Sequence, residues 1–147
     1  MLSTKNQFIA MLIVYIIAYI YAIEVAVFIQ SCDDDICKSI NKVQQSCIIN
    51  IDGSDFSCLR GENYFIGDMD KEKAERLKSC PFTFWSFTHF FLYFILGIVC
   101  PSLFIPTFII GILFEYYEYK ELNCHDMLDI LWNTSGFVLG YMVTKIE

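Results

Sequence analysis

Apolar residues fill this chain in four long runs, while polar residues gather in one block and a few isolated points. Phe8 to Gln30 is apolar apart from Glu24, and Pro81 to Cys100 contains only His89 as an ionisable group. Ser102 to Tyr119 is a shorter run, and Met127 to Val143 is the least hydrophobic of the four. A bilayer core of about 30 Å needs roughly 20 apolar residues per helix. The pattern therefore predicts an all-α fold: a four-helix transmembrane bundle with spans over 8–30, 81–100, 102–119 and 127–143. One membrane domain covers 1–147, with a polar loop over 31–80. The first run is longer than the apolar core of a signal peptide and no small-x-small cleavage site follows it, so a retained helix is expected. Pro101 suits a tight turn between the second and third spans. Pro106 is expected to remove a backbone bond near the start of the third span and bend it.

Composition agrees with this division. The chain is 56% hydrophobic, 17% aromatic and 18% charged, and ten of its seventeen acids lie between Ser31 and Cys80. A net charge of -7 without a basic stripe gives no reason to expect nucleic-acid binding. No glycine-rich nucleotide loop is present. Lys5 and Lys145 flank the outermost spans and place both termini in the cytoplasm by the positive-inside rule. The 31–80 loop and the 120–126 turn then face the exterior or a lumen.

Cysteine spacing points the same way. Cys32, Cys37, Cys47, Cys58, Cys80 and Cys124 share one side of the membrane in this topology, and Cys100 falls on the other. A loop of fifty residues buries little core of its own, so disulfide staples among those six are expected, with Cys100 free. No C-x-x-C pair is present to build a zinc site in the loop. Asp52 to Asp55 reads as a turn, residues 68–80 as a short polar helix, and Asp33 to Asp35 as a solvated acidic turn without EF-hand spacing.

The acids outside the loop raise the functional question. Asp129, Asn133, Gly136 and Gly140 recur at four, three and four residues, which puts them on one helix face. Gly111, Glu115 and Glu118 share a face of the third span in the same way. Glycines at this spacing let helices approach closely. The expected arrangement is a tight hairpin of the third and fourth spans, with carboxylates converging at one end. Glu118 and Glu121, near a span end, read as interfacial acids in contact with water. Glu115, Asp129 and Asn133 lie deeper, where an ionisable group is expensive and calls for a partner. His89 falls at a matching depth in the second span. One histidine and two carboxylates can ligate a metal, but no spacing selects one, and no metal or cofactor is assigned.

In order along the chain, "FTHFFLYFILG", "FEYYE" and "DILWNTSGFVLG" resemble the VanZ-like family of small multi-span membrane proteins over residues 81–141. The resemblance implies roles for His89, Glu115, Asp129, Asn133, Gly136 and Gly140. Glu118 stands where that family has Gln, and the family's basic residue before the last helix is missing. The resemblance implies an architecture and a candidate pocket but names no reaction. Two functions follow as expectations. One is a polar outer-leaflet pocket that binds or processes a lipid headgroup or a cation. The other is a structural protein that anchors a stapled loop for a partner protein, its buried acids serving helix packing.

Overall fold

The computed structural model describes residues 2–30, 43, 46–59, 75, 77–121 and 126–146, of which 22–30, 57 and 121 are described by their backbone alone. Four helices carry this part of the chain: α1 Thr4–Gln30, α2 Phe84–Val99, α3 Phe104–Glu121 and α4 Met127–Val143. Two short strands, β1 Cys47–Ile49 and β2 Phe82–Thr83, pair antiparallel, with Cys47 opposite Thr83 and Ile49 opposite Phe82. The all-α expectation thus holds for the bulk of the chain and misses this small pairing.

The pairing also sets where α2 begins. Pro81 to Thr83 are bent and extended rather than helical, and Thr83 then caps the helix, its side chain accepting a hydrogen bond from the Ser86 backbone N–H at 3.2 Å. Asp126 caps α4 in the same manner, accepting from Leu128 N–H at 3.0 Å. Pro106 is the third residue of α3, where the backbone N–H has no intrahelical acceptor, so the expected loss of a bond does not arise. Asp52 and Gly53 form the predicted turn, and Gly53 takes a positive φ of 80° that favours glycine.

Within α1, Thr4–Tyr21 is long and apolar enough to cross a membrane; Phe84–Val99 is apolar but shorter. A signal sequence meets the same test of length and composition. Polar contacts nevertheless tie α1 to the other helices. Gln7 Oε1 accepts from Ser102 Oγ at 2.6 Å and from Ser102 N at 3.2 Å, and Cys100 Sγ donates to the Gln7 carbonyl at 3.1 Å. Tyr15 donates to the Thr107 carbonyl at 3.1 Å. Met11 is fully buried and joins Tyr93, Leu96, Cys100, Leu103 and Phe137 in the core.

The closest helix pair is α2 with α4, not α3 with α4 as the glycine stripes had implied. A methyl group on Gly136 would run into the Phe90 carbonyl oxygen, and one on Gly140 into that of Phe94. Gly97 of α2 returns the arrangement against the Phe137 carbonyl of α4. The two backbones therefore touch through glycine on both sides. Helical spacing showed which residues share a face but not which helix that face meets. Gly111 stands apart from these three and leaves room for the Tyr93 hydroxyl.

A disulfide joins Cys47 to Cys80 and fastens β1 beside the residues that lead into α2. Trp132 of α4 reaches the same place, donating from Nε1 to the Pro81 carbonyl at 2.9 Å and meeting the Phe82 ring edge-on at 4.5 Å. Cys58, expected to be paired, is a free exposed thiol; it sits in a single 3-10 turn with Sγ directed at its own Asp55 carbonyl. Cys100 is free and buried. Cys32, Cys37, Cys124, the 33–35 acids, residues 68–74 and the side chain of Glu24 lie outside the described residues.

Candidate functional site

Three helix ends bring the predicted polar residues together. His89 is in the second turn of α2, Asp129 in the first turn of α4, and Glu115 two turns before the end of α3. All three ends lie at the same side of the bundle, near the disulfide and the β1–β2 pair. His89, Glu115, Asp129 and Asn133 are each buried.

The His89 ring sits between the two carboxylates. Its Nδ1 is 3.2 Å from Asn133 Oδ1 and 4.0 Å from Glu115 Oε1, while Nε2 is 3.9 Å from Asp129 Oδ2. Asn133 Oδ1 can accept from Nδ1 in the tautomer protonated there, and Nε2 is the ring nitrogen on the Asp129 side. Trp85 meets the ring edge-on at 5.5 Å, and Phe114 lies at 6.4 Å, so aromatic side chains hold its plane.

The carboxylates are poorly satisfied. Neither oxygen of Glu115 accepts a hydrogen bond, and Asp129 Oδ1 accepts none, although all three atoms are shielded from solvent. The Asp126 backbone N–H faces Glu115 without reaching hydrogen-bond geometry. Buried polar side-chain atoms usually have a partner, and leaving one without costs free energy. Glu118 is also buried, only 6% exposed, and lies within electrostatic reach of Asp126 and Asp129. This corrects the expectation that it stands in interfacial water. Glu121 has no described side chain.

Beside this cluster opens a cleft of about 540 Å³ between α1, α2 and α3. Val14, Ala18, Trp85, Leu92 and Phe114 give it apolar walls, and His89 and Asn133 provide polar points at its margin. Farther along the bundle a second polar group appears that sequence reasoning missed. Tyr15 and Tyr93 share a hydroxyl contact at 3.1 Å, and both reach the Thr107 carbonyl. A signal for it was present: Tyr93 follows His89 by four residues, and Thr107 precedes Gly111 and Glu115 by four and eight, on the same helix faces.

No protein family, curated protein or solved structure matches the chain.

Proposed function

We propose that this chain is a multi-pass membrane protein whose buried polar cluster receives the positively charged part of a lipid headgroup, or a cation, from the outer leaflet. The observation that carries the reading is an apolar cleft that reaches His89 and Asn133, beside which lie buried carboxylate oxygens that accept no hydrogen bond. An amphiphile matches both halves, its chain against Ala18 and Leu92 and its head against the acids. The VanZ-like resemblance of residues 81–141 supports the same pocket, since the residues it implies are those that converge.

A membrane setting is supported by the surfaces of the helices. Ile13, Ile16 and Ile17 of α1, Ile105 and Leu113 of α3, and Leu131 of α4 are all exposed. Apolar surface of this extent on several sides of a bundle is unsuited to water. The contacts of Gln7, Met11 and Tyr15 support a retained α1, because its removal would strip partners from Ser102, Cys100 and Tyr93. The Cys47–Cys80 disulfide fits an oxidising exterior or lumen for the site end.

A photoactivatable phosphatidylethanolamine analogue, carrying its reactive group on the acyl chain, tests the pocket in reconstituted full-length protein. Labelling is expected at peptides of α1 and α2 that line the cleft, and Ala18→Trp should reduce it severalfold by filling the space. Labelling spread evenly over every exposed helix face, and unchanged by Ala18→Trp, would favour the anchoring role instead.

A further inference from the structure

We propose that His89, Glu115 and Asp129 bind one divalent first-row metal ion within the bundle, with Asn133 orienting His89 as a positioning residue. The inference rests on the cluster being a binding pocket and names the cation that it takes.

Geometry is the first support. One ring nitrogen of His89 and one oxygen from each carboxylate lie within 4.8 Å of one another, each from a different helix and all buried. Metal–nitrogen and metal–oxygen bonds of about 2.0–2.2 Å place neighbouring ligands roughly 3–3.5 Å apart. The three groups thus need to close by about an ångström around an ion, a movement within the reach of side-chain torsions.

The second support is the set of atoms without partners. Both Glu115 oxygens and Asp129 Oδ1 are buried with no hydrogen bond, and these belong to the same two carboxylates. His89 Nε2 and Asp129 Oδ2 are 3.9 Å apart, too far for a hydrogen bond and less than an ångström wider than neighbouring ligands of one ion. Asn133 Oδ1 is 3.2 Å from Nδ1, and the tautomer that carries its proton on Nδ1 offers the Nε2 lone pair on the Asp129 side. An outer partner on the other ring nitrogen is the usual companion of a metal-bound histidine.

Charge is the third. Two ionised carboxylates with a neutral imidazole would balance a divalent ion. Among the described residues no lysine or arginine pairs with Glu115 or Asp129. Lys120, the nearest basic residue in sequence to Glu115, lies over the Tyr116 and Tyr119 rings. One nitrogen with two or three oxygens suits manganese or zinc better than a thiophilic ion. Cys100 belongs to the opposite end of the bundle, against Gln7.

The test uses the full chain in detergent micelles, stripped with a chelator and then dialysed against Mn²⁺ alone. One Mn²⁺ per chain is expected, displaced by Zn²⁺, and weakened at least tenfold by Asp129→Asn and by Glu115→Gln. Cys58→Ser should leave binding unchanged. Electron spin-echo spectra of the bound Mn²⁺ should show one imidazole nitrogen. The chain has two histidines, so that signal should survive His125→Gln and vanish in His89→Gln. Less than a tenth of an equivalent bound to folded wild-type protein overturns the site, and so does bound Mn²⁺ lacking the imidazole signal. The wild-type readings decide the matter even if a variant fails to fold. Lipid labelling of the chelated protein separates the two readings: cleft labelling without metal uptake ends the metal site and leaves the pocket standing.

Discussion

Glu115 shows what it costs a fold to bury a carboxyl without a hydrogen-bond partner. Its carboxyl is 5% exposed, accepts no hydrogen bond, and has the His89 ring at 4.0 Å and the acids Glu118 and Asp129 within electrostatic reach. Glu115→Met keeps the length of the side chain and removes the buried carboxyl. In metal-free protein it should raise unfolding stability by about 1–3 kcal/mol, the scale of an unsatisfied buried group. Chemical denaturation in a fixed detergent measures this, and a loss of stability would show that the His89 contact already compensates the acid. Glu115, Asp129 and Asn133 were legible beforehand because each is polar inside an apolar run on a glycine-bearing face. The burial of Glu118 was not, since a carboxylate near a helix end looks alike whether it turns to water or to protein. The hydroxyls of Tyr15 and Tyr93, which meet at the Thr107 carbonyl, escaped notice because tyrosine is ordinary in apolar helices and a backbone acceptor carries no mark in the sequence.

At the level of elements, the contact of α2 with α4 rests on main chain rather than side chain. Gly136→Ala and Gly140→Ala each force a methyl group against a backbone carbonyl that belongs to a helix and cannot swing aside. Each should destabilise the protein by about 2–3 kcal/mol, as overpacking does. Gly111→Ala meets only the Tyr93 hydroxyl, and Tyr93→Phe in the same chain should recover most of its smaller loss. Thermal unfolding of the four variants ranks them, and an equal effect at all three glycines would contradict the distinction. Apolar runs located the helices to within a few residues, because each run is bounded by polar or proline-bearing segments. The start of α2 was hidden, since it depends on β2 pairing with β1 more than thirty residues earlier. Likewise, the partner of the glycine face was misjudged because adjacency in sequence favoured α3.

Across the whole molecule, the Cys47–Cys80 bridge closes a loop of 33 residues and holds β1 to the site end. Loop-closure entropy for that separation corresponds to about 3–4 kcal/mol. Cys47→Ser with Cys80→Ser should lower stability by up to that amount and leave the Gln7–Ser102 end intact. Protease cleavage of residues near Ile49 should quicken while α1 stays protected; unchanged cleavage would assign the tether no such role. The order in which the chain is made gives the α2–α4 contact a further meaning. α2 leaves the ribosome before its closest partner exists, and α3 must pass before α4 can dock. Until then Gly97 presents an unfilled notch, and the His89 cluster lacks Asp129 and Asn133. A chain stopped before Met127 should therefore be short-lived in cells, because quality control meets a nascent molecule that lacks the helix on which α2 packs most closely.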